Sequence, residues 1–316
     1  MRSLPESIGS NRTRRHLVLS AAAALAVALV DPRRAAAADA PLRVVATFSI
    51  LADFAREVGG PLVQVTSLVP AGADAHVYAP SPADARRLAQ AELVVMNGLH
   101  YEGWIARLLA ATGYRGPVVV ATDGIAPRRV GTGADPHAWQ NLAHAVHYVA
   151  RIRDALVALR PAAAGEFQSR AEAYSARLTA LDRDTRARIA AIAPERRRLI
   201  TPHDAFGYFA DAYGVRFLSP RGWSTEAEPS ADTVARIVRQ VRQDRVSALL
   251  VENLGDPRLM ERIAREAGVS VGGRLYADAL SPPGTEADTF LRLFEHNVRT
   301  IVGAMTAPTT ASAPRP

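Results

Sequence analysis

Three histidines and one aspartate stand just beyond short β-branched runs of this chain. His76 closes the segment Pro70-Ala-Gly-Ala-Asp-Ala-His76, after a run ending at Val69, and His137 lies in Asp135-Pro136-His137-Ala138-Trp139, ahead of a long helical stretch. His203 follows Thr201-Pro202, and Asp278 follows Tyr276-Ala277, each directly after another such run. Neutral imidazole and carboxylate are good ligands for Zn²⁺ and acceptable ones for Mn²⁺. In open parallel sheets, ligands bind outside the carboxyl ends of the strands, so two groups from each half of the chain could converge in one cleft. For any one of these residues taken singly, a surface or capping role is the competing reading. The pattern rests on four such groups divided evenly between two halves. The chain has no cysteine, which excludes disulfides and thiolate metal sites and leaves any metal to His, Asp, Glu and water.

The remaining candidates carry less. His144 and His147 are three apart on one helical face, a spacing that can bind metal, but no further ligand is evident beside them and a structural or solvent role is expected. His100 is expected on the surface or at the mouth of a cleft, and His296 within the last helix. Glu226 and Glu228 flank a loop of the second half and read as capping or surface residues. Trp139 and Trp223 read as packing residues that could form an apolar collar excluding water from a site. Three histidines plus water is also a catalytic zinc pattern. Neither H-E-x-x-H nor G-x-S-x-G occurs, however, and Asp278 fills the position that catalysis leaves open. A secreted zinc hydrolase is thus a rival reading that the residues disfavour; no residue is assigned a catalytic or cofactor-binding role, and the chain is read as a non-enzyme.

The elements that must position these groups alternate in type. Strands are expected at Arg43–Ala46, Gln64–Val69, Leu93–Asn97 and Val118–Ala121, with amphipathic segments near Leu51–Val58, Ala83–Gln90 and Gly103–Ala111. Ser81-Pro82-Ala83-Asp84 has the form of a helix start, with Ser81 as N-cap, Pro82 at the first helical position and an acid in the first turn. Asn141–Arg160 and Ala162–Ala193 are almost purely helical, the second about 45 Å long if helical throughout, with Tyr174, Leu178, Leu181, Ile189 and Ile192 as one apolar stripe. Alternation then resumes, with strands at Arg198–Thr201, Val215–Leu218, Ala248–Val251 and Val271–Leu275. Helices are expected at Asp204–Tyr213, Ala231–Gln243, Pro257–Ala267 and Ala287–Val302. This order predicts an α/β fold: two lobes with parallel sheets flanked by helices, joined by a long rigid helix.

The N-terminus reads as an export signal. Arg12, Arg14 and Arg15 precede an apolar run from Leu17 to Val30 that is too short to span a bilayer comfortably, and small residues follow at Ala35–Ala38. His16 falls in this leader. Thr13-Arg-Arg-His-Leu17 also has the look of a twin-arginine signal, so either general secretion or folded export fits. The resulting organisation is a signal peptide over 1–38, a first lobe over 39–160, a connecting helix over 161–193, a second lobe over 194–305 and a frayed tail over 306–316. The leader removes more than half of the chain's formal +7 charge, which leaves no strong case for nucleic acid. A diacylglyceryl anchor needs a cysteine, so a free periplasmic protein is expected rather than a lipid-anchored one.

Several segments together carry a family resemblance. They are the His76 segment followed by Pro80-Ser-Pro82-Ala-Asp84; Asn97-Gly-Leu99 with Glu102-Gly-Trp104; the His137 segment; Thr201-Pro-His203-Asp-Ala-Phe206-Gly-Tyr208; Ser224-Thr-Glu226-Ala-Glu228-Pro-Ser230; Val251-Glu-Asn253; and Leu275-Tyr-Ala-Asp278-Ala-Leu280-Ser281. From about Arg43 to Met305 the sequence resembles the zinc- and manganese-binding receptors of ABC importers, the cluster 9 family. The resemblance implies a two-lobed receptor with one buried metal site whose ligands are His76, His137, His203 and Asp278. It also implies delivery of the ion to an inner-membrane ABC permease with a cytoplasmic ATPase. A periplasmic metallochaperone is a candidate loader, and a monomer is expected. Family members with glutamate at the third ligand position tend to be manganese receptors, so His203 moves the expectation to Zn²⁺, with Mn²⁺ as the alternative. Many zinc receptors carry a His- and acid-rich loop before the second ligand; Gly124–Ala134 has neither residue type, which keeps manganese in play. Gln140-Asn141 departs from the family's Leu-Asp-Pro-like tail at a position that is not a ligand. Some relatives act at cell surfaces, which makes a metal-dependent adhesin a further, weaker reading.

Overall fold

The computed structural model describes residues 40–307 apart from Thr132, Trp223, Ala227, Glu228 and Arg245. The leader expected over 1–38, nearly all of the tail expected over 306–316, Trp223 and Glu228 lie outside the described residues. The first half runs β1 (Leu42–Phe48), α1 (Ser49–Gly59), β2 (Val63–Val69), α2 (Pro82–Ala89), β3 (Leu93–Met96), α3 (Ile105–Thr112) and β4 (Val118–Val120). A hairpin of β5 (Arg129–Val130) and β6 (Gly133–Ala134) leads into α4 (Leu142–Leu159) and the long α5 (Ala164–Ala190). The second half runs β7 (Arg198–Ile200), α6 (Gly207–Tyr213), β8 (Arg216–Leu218), α7 (Ala231–Asp244), β9 (Ala248–Glu252), α8 (Arg258–Ala267), β10 (Val271–Leu275) and α9 (Phe290–Thr306).

Two four-stranded sheets result, ordered β2-β1-β3-β4 and β10-β9-β7-β8. Every pairing in both is parallel, with Val44 opposite Val65 on one side and Leu93 on the other. The near-continuous apolar runs of β1 and β3 suit strands covered on both faces. At α2 the expected start is present: Ser81 Oγ accepts from the Asp84 N–H, and Asp84 Oδ2 accepts from the Ser81 N–H at 2.8 Å. The long helix is shorter than its composition suggested. Pro161–Ala163 form a separate 3₁₀ turn, since proline cannot supply an interior helical N–H. Its 27 residues span about 40 Å, and Phe167, Ala171, Tyr174, Leu178, Thr185 and Ile189 form its buried stripe. That stripe packs against α1, α4, α6 and α9. The expected helix over Asp204–Tyr213 begins only at Gly207, and the Asp204 N–H ahead of it donates to the Gly222 carbonyl.

The interior does not divide at α5. A single apolar cluster runs from Leu42 to Met305, and a smaller satellite under α7 and α8 includes Val234, Ile237, Met260 and Ile263. The seam is aromatic: Phe54 of α1 lies 4.7 Å from Phe290 of α9, and Phe294 lies 5.7 Å from Phe209 of α6. Beside it the buried Asp53 carboxylate accepts the Phe290 N–H at 2.8 Å, satisfying a donor at the start of α9. Burial raises the Asp53 pKa to about 6 despite that bond. Folding therefore favours the protonated acid. The Asp53 contribution to stability is fully present below the unfolded value near 4 and is lost as pH rises through 6, by on the order of 2–3 kcal/mol. Asp53→Asn keeps an acceptor without the charge. In metal-free protein it is expected to raise stability at pH 7.5 by about that amount relative to wild type, with the gain shrinking toward pH 4. Denaturant midpoints measured across that range check it; a variant less stable at pH 7.5 would mean that the carboxylate is needed as an anion.

Candidate metal centre

Each of the four side chains is fixed from behind. After β2, the His76 N–H donates to Asp74 Oδ1 at 2.8 Å, and Trp104 Nε1 donates to the neighbouring Ala75 carbonyl at 3.0 Å. Between the hairpin and α4, Asp135 Oδ1 accepts both the backbone N–H of His137 at 3.0 Å and its Nδ1 at 2.8 Å. After β7, Thr201 Oγ1 donates to the His203 carbonyl at 3.0 Å, while His203 Nδ1 lies 2.6 Å from Glu252 Oε2 at the end of β9. After β10, Trp139 Nε1 and Gln140 Nε2 from the first half both donate to the Ala277 carbonyl, at 3.0 and 2.9 Å, setting the main chain that carries Asp278.

These anchors aim the four groups at one point. The Nε2 atoms of His76 and His137 are 3.3 Å apart. Asp278 lies 3.1 Å from His203 Nε2, 3.5 Å from His137 Nε2 and 3.6 Å from His76 Nε2. All four residues are buried, and one ligand atom from each lies within 4.8 Å of the others. Among the described residues this is the one such group of three or more His, Cys, Asp or Glu side chains. With Nδ1 of His137 and of His203 facing carboxylates, the assignment that satisfies both puts the proton on Nδ1 and leaves Nε2 as a lone pair toward the centre. Both Asp278 oxygens and His203 Nε2 are buried without a hydrogen-bond partner. Buried polar atoms are rarely left so, and a cation at their meeting point would satisfy all of them at once.

The electrostatics agree. Burial presses the His76 pKa down to about 3, so that ring is neutral. Burial also opposes ionisation of Asp278, but the His203, His137 and His76 imidazoles outweigh it and hold the carboxyl well below the usual range. At His203, burial is outweighed by Glu252 and Asp278, which raise the imidazole well above its ordinary value. Without an ion, then, a proton on His203 stands in for positive charge, and a bound dication must displace it. Three carboxylates, Asp135, Glu252 and Asp278, surround the position a dication would take.

The other candidates lie elsewhere. His147 Nε2 donates to the Asp123 carbonyl at 2.7 Å, and His144 packs 5.3 Å from the Tyr208 ring. His296 Nε2 donates to the Arg274 carbonyl at 2.9 Å, while His100 and Glu226 are exposed. His100 and Leu99 have φ of 63° and 53°, a left-handed pair that costs energy for residues with a Cβ. The turn they make drives Glu102 inward to accept from Thr47 Oγ1 at 2.6 Å and from the Asn97 N–H at 2.7 Å. Sequence reasoning did not single out Glu252 or Asp135 as partners of the imidazoles. For Asp135 a local signal existed, an acid two residues before a histidine; Glu252 is 49 residues from His203 and had none.

A family model described as "Zinc-uptake complex component A periplasmic" matches residues 44–304. The manganese-binding lipoprotein MntA of Bacillus subtilis is 33% identical over 278 residues, covering 85% of this chain and 91% of the relative. The iron-binding protein YfeA of Yersinia pestis is 31% identical, covering 82% and 87%. Among solved structures, the periplasmic zinc-binding protein TroA from Treponema pallidum superposes with a TM-score of 0.81 at 30% identity, covering 85% of this chain and 100% of that one. The Mn-bound periplasmic metal-binding protein from Candidatus Liberibacter asiaticus gives 0.77 at 31% identity, covering 83% and 98%.

Proposed function

This chain belongs to the zinc-uptake component A family, the cluster 9 metal receptors, and on that premise we propose that it captures Zn²⁺ in the periplasm through His76, His137, His203 and Asp278 and yields it to an ABC importer. The observation that carries this reading is the convergence of four buried donors, two from each half, with both Asp278 oxygens otherwise unpartnered. The metal is cargo. Four protein donors leave none of the open position that zinc catalysis uses, which supports a receptor over a hydrolase.

Three imidazoles and one carboxylate favour zinc, because imidazole suits Zn²⁺ whereas Mn²⁺ prefers carboxylate, carbonyl and water ligands. Manganese is the second reading, favoured by the name of the 33%-identical relative. That relative is also named a lipoprotein. The 316 residues here contain no cysteine. Elemental analysis of protein purified from the periplasm is expected to find one zinc per chain that a hundredfold excess of Mn²⁺ does not displace. Stoichiometric manganese or iron in the protein as purified from the periplasm would replace zinc as the cargo.

A further inference from the structure

The hairpin that leads to His137 is held by the second half of the molecule at Arg128 and Tyr208. Arg128 Nη1 lies 3.3 Å from Asp135 Oδ2, the oxygen not used by His137, and Arg128 Nε lies 3.2 Å from Asp211 of α6. Asp204, ahead of α6, stands 4.0 Å from the same guanidinium. Tyr208 closes the arrangement: its hydroxyl donates to the Asp135 carbonyl at 3.0 Å and accepts the Arg128 N–H at 2.9 Å. The approach is close. A Cβ on Gly207 would fall 2.4 Å from Arg128 Nη1 and 2.6 Å from Asp135 Oδ2, so only glycine lets the start of α6 lie against this ion pair.

A continuous line of contacts therefore runs from an exposed carboxylate of one half, Asp211, through Arg128 and the buried Asp135 to His137. A planar guanidinium can hold several carboxylate oxygens at fixed angles, which a lysine cannot. Groups that orient a metal-bound histidine typically contribute about 10–100-fold to metal affinity. We infer that Arg128 is a positioning residue through which α6 sets the lifetime of the captured ion: while Asp211 and Gly207 seat the guanidinium, Asp135 holds His137 on the metal, and separation of α6 from the hairpin slackens that ligand first. This rests on the metal-receptor reading above.

The test is the rate at which a chelator strips Zn²⁺ from the loaded full chain. Arg128→Gln is expected to speed release by roughly 10–100-fold with one ion still bound per chain, and Arg128→Lys to restore little of the loss. Asp211→Asn and Gly207→Ala, which touch neither the metal nor its ligands, should each speed release severalfold. The double variant Arg128→Gln/Asp211→Asn should release no faster than Arg128→Gln alone, because both act on one path. Unchanged release in Arg128→Gln with only a lower melting temperature would overturn the inference. So would additive effects in the double variant, or unchanged release in both Asp211→Asn and Gly207→Ala; these two also decide the matter if Arg128→Gln does not fold. A wild-type chain that holds no divalent ion would instead overturn the receptor reading itself.

Discussion

Asp278→Ala is expected to lower Zn²⁺ affinity by about a thousandfold or more while the protein stays folded. Asp278 is the one anionic donor of the set and is buried. Without it a dication would sit among three neutral rings in a water-poor pocket. Stranding a buried charge by deleting its partner costs about 3–5 kcal/mol, which is two to four decades of affinity. The segment stays in place because its main chain is held by Trp139 and Gln140. Competition against a fluorescent zinc chelator measures the loss. Affinity within tenfold of wild type would remove Asp278 from the proposed ligand set.

Loading the site is expected to raise the melting temperature by roughly 6–8 °C. An ion present at a thousand times its dissociation constant stabilises the native state by about 4 kcal/mol, and a chain of this size gains about 1.5–2 °C per kcal/mol. EDTA should return the lower value. The gain should shrink in acid: binding displaces the proton that Glu252 and Asp278 hold on His203, so affinity falls about tenfold per pH unit for each proton released. Calorimetric scans of the stripped and reloaded protein at pH 7.5 and 5.5 show both effects. A melting temperature indifferent to zinc and EDTA at both values would leave the cluster without a cargo.

How far the sequence reveals this depends on the range of each interaction. The strand–helix alternation and the stripe on α5 are periodic and local, and both sheets could be read from them. The four central residues stood out because chain order places each after a strand or before a helix, where α/β folds assemble sites. Glu252 and Arg128 could not be seen this way. Their partners lie on other elements, and an acid at a strand end or an arginine in a loop has many ordinary uses. The β5–β6 hairpin was missed because two-residue strands are too short to show a period. The long helix was overextended because alanine and arginine favour helix on both sides of Pro161 and past Ala190, while proline and the turn at Ala191 decide the ends.

The shared interior has an evolutionary consequence. Phe54, Phe290, Phe294 and Phe209 belong to one packed seam that ignores the boundary between the sheets. A chimera that exchanged residues 194–307 for those of a 30%-identical relative would therefore inherit α9 without the α1 surface it was fitted to, and would need matched changes at Asp53 and Phe54 to recover a close-packed core. The two halves share one core, so a substitution on either side of the seam is felt on the other.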